Sequence, residues 1–301
     1  MRMMVASAVA PCYAAVMERS ILLAVTIMSV GMLLIPLGDT AGKLMTSSGI
    51  APFFVAWTRY LIGLAVLLPF AMHKDAVRLL SNWRIWLRSA IQVVTITTIL
   101  TALQTEPIAN VFAAFFLGPM VSYILSVTLL KEQASAMRII LLAIGLGGVM
   151  LVVKPGFGMT PGLAWATFSG CCYGMFLTAS RWVSPLGKPV HLLITQLFIG
   201  ALLLTPLGLL NLPPITPTLS GLVVWSAIAS MLGNLLLIFA YARAGASVLA
   251  PFVYVQLVGA TAYGWLVFDN WPDGLSALGL VVIFVSGFAT LFLRKSKPRT
   301  L

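Results

Sequence analysis

Apolar residues run in blocks of about twenty along almost the whole chain, cut by charges, prolines and glycine turns. Wound as helices at about 1.5 Å rise per residue, such blocks are long enough to cross the roughly 30 Å of a bilayer's hydrocarbon. Ten spans are predicted, approximately at 21 to 45, 50 to 71, 84 to 105, 107 to 130, 136 to 153, 161 to 182, 189 to 210, 218 to 241, 244 to 268 and 274 to 293. The blocks lack the period-two alternation of a lipid-facing barrel strand, and open sheet edges leave backbone groups unpaired in lipid, so the spans are predicted as helices. The loops between them are short, which leaves binding to occur among the helices.

One apolar phrase is written twice. Residues 109 to 115 read ANVFAAF and residues 246 to 252 read ASVLAPF, 137 positions apart. The same ungapped offset pairs Pro52 with Pro189, Thr58 with Thr195, Gly63 with Gly200, Pro69 with Pro206 and Glu132 with Asp269. Prolines, glycines and an acidic pair holding one register point to an internal duplication. Each copy holds five crossings, an odd number, so the second copy enters the membrane from the opposite face. The expected fold is an all-α membrane protein of ten transmembrane helices in two inverted five-helix repeats, the ground plan of many secondary carriers. The first repeat is placed at 21–155 and the second at 161–293, with a basic tail at 294–301. Residues 1–20 are set aside as a tail. MERSILLAV opens a membrane helix cleanly, so Met17 is the alternative start.

Composition agrees with this pattern. The chain is 60% hydrophobic and 8% charged, with a mean hydropathy of +1.05, whereas a soluble domain is roughly 25% charged. A net charge of +11 raises the question of nucleic acid, but the basic residues lie between apolar spans, where membrane orientation explains them and no nucleic-acid partner is needed. With the amino terminus inside, the cytoplasmic side holds Arg2, Arg19, Lys74, Arg78, Arg84, Arg88, Lys131, Arg138, Arg181, Lys188, Arg243, Arg294, Lys295, Lys297 and Arg299. The other side keeps only Lys43 and Lys154, with Arg59 inside a span. Both termini are therefore expected in the cytoplasm of a bacterial inner-membrane protein. Cys12, Cys171 and Cys172 have no histidine at ligand spacing and read as packing residues, so no metal and no cofactor are expected. A membrane enzyme needs a nucleophile with its base or an HExxH motif; the histidines, His73 and His191, lie in or beside loops. A channel needs a selectivity filter or charged ring, and none is apparent. A lipid flippase shares the carrier's architecture and is separated from it only by experiment.

Charges inside a bilayer cost about 2.5–3.5 kcal/mol each on insertion scales, so the few present need partners or water. Asp39 and Lys43 stand four apart on one face of the first helix and, with Arg59, fall toward the outer half of the membrane. They form either an outer gate that meets a solute carboxylate or an ion pair pinning the first two helices. A solute path calls for inward polar groups and aromatic faces. Gln92, Thr95, Thr98 and Thr101 stripe the third helix; Trp165, Ser169, Cys172, Tyr173 and Phe176 share a face of the sixth. Ser226, Ser230 and Asn234 line the eighth, and Tyr254 and Thr261 the ninth, near Pro251. For each of these, hydrogen bonding or packing between helices is the competing reading. Gly145, Gly147 and Gly148 permit close packing of the fifth helix. Asp39 is the acidic residue that lies well inside a span, which favours exchange or facilitated diffusion over proton coupling.

Several of these features together resemble a known family. A Pro-x6-Arg opening to the second helix (Pro52, Arg59), small-residue fourth and ninth helices, and Leu130, Lys131 and Glu132 closing the fourth resemble the drug/metabolite transporter superfamily, in its EamA class of ten-helix carriers. The resemblance covers about 21 to 293. It implies an inner-membrane carrier, monomeric or loosely associated, that moves small organic solutes by alternating access, often outward. YddG-like exporters of amino acids and related metabolites are the nearer branch, and S-adenosylmethionine uptake carriers the second. The second copy departs from the first where Gln196 stands at the Arg59 position and where Asp269 lacks a preceding lysine.

Overall fold

The computed structural model describes residues 2–71, 74–131, 136–156, 158–243 and 249–292, and its elements there are all helical. They are α1 (Arg2–Ser47), α2 (Pro52–Ala71), α3 (Lys74–Leu79), α4 (Trp83–Leu103), α5 (Ile108–Phe115), α6 (Leu117–Thr128), α7 (Ala136–Val153), α8 (Pro161–Val183), α9 (Pro189–Leu210), α10 (Pro217–Arg243), α11 (Val255–Phe268) and α12 (Gly274–Phe292), with 3₁₀ turns at Ser184–Leu186 and Ala250–Tyr254. Residues 294–301, expected as a basic tail, lie outside the described residues, as do residues 246–248 of the second apolar phrase.

Local chemistry explains where the helices begin. Prolines open α2, α8, α9 and α10, where a missing N–H costs nothing. Asn82 caps α4 by accepting from the Arg84 N–H at 3.0 Å, and Thr160 caps α8 by accepting from Leu163 at 3.1 Å. Among the described residues, six stretches have the length and apolarity to cross a membrane: Ile21–Ser47, Pro52–Pro69, Trp83–Leu103, Ile108–Thr128, Pro189–Leu210 and Pro217–Ala240. Ile139–Val153, Phe252–Phe268 and Gly274–Ala289 are shorter apolar helices. The tenth, α8, carries more polar residues and is packed against α4, α5 and α6.

Four features depart from the expected spans. The fourth is broken at Phe116 into α5 and α6, and the ninth opens with the 3₁₀ turn that contains Pro251. Phe116 and Tyr254, at these two irregularities, stack face to face at 4.9 Å and 13°. The short helix α3 occupies what was expected to be plain loop, and α1 extends back to Arg2.

The packing repeats itself. α1 lies on α10 as α8 lies on α4; α1 meets α11 as α8 meets α6; α2 meets α10 as α9 meets α4. Exchanging the first five spans for the second five converts each member of these couples into the other. The contacts of α2 with α9, α5 with α11 and α7 with α12 exchange with themselves. The largest buried cluster runs through this arrangement from Val55 and Tyr60 through Leu100, Phe112 and Leu204 to Ile283.

Candidate functional site

Among the described residues, four basic or acidic side chains on the spanning helices are almost wholly buried: Asp39 at 5%, Lys43 at 6%, Arg59 at 8% and Arg88 at 8% exposure. They fall into two groups at opposite ends of the bundle.

The first group joins α1, α2 and α10. Arg59 Nη1 meets Asp39 Oδ1 at 2.6 Å, its Nε donates to Ser226 Oγ at 2.8 Å and its Nη2 to the Gly38 carbonyl at 2.9 Å. Ser226 Oγ donates to the same Gly38 carbonyl at 2.9 Å. The guanidinium lies against Gly42, where an added Cβ would sit 2.4 Å from Nη2. Lys43, four residues along from Asp39, is not its ion partner. Its ammonium donates to the carbonyls of Leu103 at 2.8 Å and Glu106 at 2.6 Å and lies 5.3 Å from the Phe268 ring centroid. The shared helix face therefore does not become an Asp39–Lys43 pair, because Arg59, reaching across from α2, takes the carboxylate through Nη1. Glu106, in the loop after α4, is buried as well, and its carboxylate accepts the Thr160 hydroxyl. Sequence reasoning passed over Glu106 because it lies between spans; its closeness to Thr160 is a tertiary fact.

The second group joins α4, α8 and α9. Arg88, counted in the sequence with the loop cations, is buried inside the bundle. Its Nε donates to Ser180 Oγ at 2.8 Å, its Nη1 to the Leu192 carbonyl at 3.3 Å, and its guanidinium lies 4.8 Å from the Phe176 ring centroid. Phe176 continues into Tyr173, with ring centroids 6.1 Å apart, and Tyr173 into Phe115 at 4.5 Å. Beside this end a cavity of ≈ 410 Å³ is lined by residues including Asp75, Arg78, Lys188 and His191.

The candidate path residues are spread over several seams. Thr95 donates to Ile91 O, and its own carbonyl accepts Ser169 Oγ from α8 at 2.8 Å, a bond that ties α4 to α8. Gln92 Oε1 on the same seam is buried without a partner. Trp165 is half exposed, edge-on to Phe168. On α10, Ser230 Oγ is buried without a partner against Gly38, while Asn234 is exposed and donates to the Ser230 carbonyl at 2.8 Å. Tyr254, with Phe116, borders a small void of ≈ 20 Å³ between α6, α7 and α12.

Comparison with known proteins agrees with this architecture. The EamA-like transporter family matches twice, over residues 21–154 and 160–292. The chain is 23% identical over 255 residues to an S-adenosylmethionine uptake transporter of Rickettsia prowazekii (strain Madrid E), covering 83% of this chain and 85% of the relative. It is 28% identical over 267 residues to a riboflavin transporter of Vibrio cholerae serotype O1, covering 83% and 87%. A solved crystal structure superposes with a TM-score of 0.65 at 19% identity, over 91% of this chain and 99% of that one, a likeness of fold. With one family pattern laid twice along ten spans, this chain is a multi-pass membrane transporter and belongs to the EamA-like transporter family.

Proposed function

We propose that the chain is a secondary carrier that moves a small organic solute, an amino acid or a compound built on one, outward across the bacterial inner membrane by alternating access. In this reading residues 21–155 and 161–293 are the inverted halves, both termini face the cytoplasm and the carrier works as a monomer. One observation carries the proposal: helix pairings that exchange between the repeats are closed by different chemistry at the two ends. Around Arg59 the end is locked by Asp39, Ser226 and Gly38, whereas at the other end Arg88 is held by Ser180 and the Leu192 carbonyl without a carboxylate, and a ≈ 410 Å³ cavity lies between the neighbouring loops. Alternating access requires two symmetry-related closures that differ in state. The lock at Asp39, Lys43 and Arg59 serves as the outer gate. Gln92, Thr95, Trp165, Ser169, Tyr173, Ser230, Asn234 and Tyr254 are candidates for the path that opens as the halves rock. The Asp39 carboxylate is engaged by Arg59 within the lock, which supports exchange or facilitated diffusion over proton coupling.

Uptake of an S-adenosylmethionine-like metabolite is the second reading, favoured by the relatives of that name. Counterflow in proteoliposomes tests both. Vesicles preloaded with unlabelled amino acids, S-adenosylmethionine or riboflavin are expected to accumulate the matching labelled solute saturably. Absence of counterflow for every solute refutes the carrier reading. Accumulation of S-adenosylmethionine alone decides for the second.

A further inference from the structure

Arg59 and Arg88 occupy corresponding junctions. Arg59 reaches from α2 to α1 and α10, and Arg88 from α4 to α8 and α9. Exchanging the repeats turns the helices α1, α2 and α10 into α8, α9 and α4. The 137-residue offset carries Arg59 onto Gln196, Ser226 onto Ser89 and Asp39 onto Phe176. Where Arg59 meets a carboxylate, Arg88 therefore meets an aromatic face.

This substitution leaves the second junction short of acceptors. Among the described residues no carboxylate pairs with Arg88, and its acceptors there are one hydroxyl and one carbonyl. A guanidinium has five N–H donors in a fork that fits a carboxylate. The residues at the matching positions, Ser89 and Gln196, are buried, and Ser89 Oγ and Gln196 Oε1 have no hydrogen-bond partner. The hydroxyl of Tyr60 is buried and also without a hydrogen-bond partner. Gln196 is one helical turn beyond Leu192, whose carbonyl Arg88 holds, and His191, which precedes Leu192, lines the cavity with Arg78 and Lys188. A buried charge without a counter-ion is costly, and an incoming carboxylate relieves it.

We propose that the Arg88 junction is the anion subsite of the carrier: a carboxylate of the transported solute takes, on Arg88, the place that Asp39 holds on Arg59. The subsite rests on the carrier reading and narrows its solute to compounds bearing a carboxylate, with Phe176 and Tyr173 offering ring faces to the remainder. Arg78, Lys188 and His191 line the neighbouring cavity, together with the carboxylate of Asp75.

The test uses the full chain in proteoliposomes, with L-phenylalanine, L-glutamate and S-adenosylmethionine as carboxylate probes, the corresponding carboxamides as competitors, and riboflavin as a solute without a carboxylate. Wild type is expected to exchange at least one carboxylate probe, and its amide to compete at least tenfold more weakly. Arg88→Gln and Phe176→Asp are each expected to lower that exchange at least tenfold, while Arg88→Lys retains part of it. Phe176→Asp supplies the missing carboxylate internally, so the unliganded protein is expected to melt at a higher temperature. The proposal is overturned by an amide that competes as well as its acid, by undiminished exchange in Arg88→Gln, by exchange of riboflavin alone, or by a loss in Arg88→Gln equal for riboflavin and the carboxylates. The comparison of acid with amide needs no variant, so it decides even where a variant fails to accumulate. No exchange of any probe by wild type refutes the carrier reading itself, and this inference with it.

Discussion

Asp39 and Arg59 hold opposite charges 2.6 Å apart in surroundings that leave each less than a tenth exposed. Desolvating them together costs free energy that their attraction and the bonds to Ser226 and Gly38 offset, so removing one partner strands the other. Asp39→Asn and Arg59→Gln are each expected to destabilise by about 3–5 kcal/mol. The double substitution is expected to cost clearly less than their sum, since the second change removes the stranded charge. Denaturant unfolding in detergent micelles measures this; strict additivity would mean the two side chains are not coupled. The same variants bear on energy coupling. Exchange that persists in Asp39→Asn vesicles, corrected for protein amount, accords with facilitated exchange, whereas collapse of proton-driven uptake would assign Asp39 to proton coupling. The ion pair expected to pin the first two helices is formed by Asp39 and Arg59, and Lys43 shows what spacing alone left open. An i, i+4 relation makes two side chains neighbours, but a longer cation from another helix reached the carboxylate, and backbone carbonyls freed at the end of α4 took the ammonium.

At the scale of helices, α7 and α12 approach through small residues. A Cβ on Gly148 would lie 2.8 Å from both the Gly279 carbonyl and Ile283 Cγ1, and one on Gly279 would lie 2.5 Å from the Gly148 carbonyl. Backbone blocks backbone here, so Gly148→Leu is expected to part the helices at a cost of about 1–3 kcal/mol or more. Gly147, one position away, is exposed and has open space at its Cβ. Gly147→Ala is therefore expected to be neutral or to stabilise by up to about 1 kcal/mol through helix propensity. Thermal unfolding of the two variants side by side checks the contrast, and equal effects would mean that the contact does not govern this seam. The glycine triplet was visible in the sequence; which of its members faces the neighbour depended on the rotation of α7 about its axis. The break at Phe116 has a local cause within the next turn, for Pro119 has no N–H to give the Phe115 carbonyl and its ring crowds that carbonyl, although the fourth span was drawn straight through it.

Across the whole molecule, the end opposite the Arg88 cavity is also tied by a surface clamp. Lys154, just past α7, meets Asp273, just before α12, at 2.5 Å, and Asp273 caps α12 through the Ser276 N–H at 2.9 Å. The hydrogen bond from Lys154, followed by that from the Ser276 backbone, holds the Asp273 carboxyl below its usual range. A carboxyl whose pKa is depressed on folding contributes stability above its unfolded pKa and loses it as the pH falls through the folded value. The pair is exposed, so the effect is expected to be at most about 1 kcal/mol and weaker in salt. Asp273→Asn keeps the cap and removes the charge. Its unfolding midpoint is expected to fall below wild type at pH 7 and to converge with it in the acid range below the ordinary carboxyl pKa of about 4. A difference that persists undiminished at low pH would assign the effect to the cap instead.

Ten helical crossings were legible from sequence because lipid leaves few local solutions: an apolar block must pair its own backbone, and the helix does so within the block. The duplication was legible too, since prolines, glycines and acids keep their register when the remaining positions drift within an apolar alphabet. What tertiary structure alone decided was the partner of each buried charge. That choice depends on which helices meet across 20 to nearly 190 residues of sequence, as Arg59 meets Asp39 and Gly38 meets Ser226, and on how each helix is rotated. Arg88 shows the difference most plainly, for a cation five residues into a span looks like a loop charge until the opposing helices close over it.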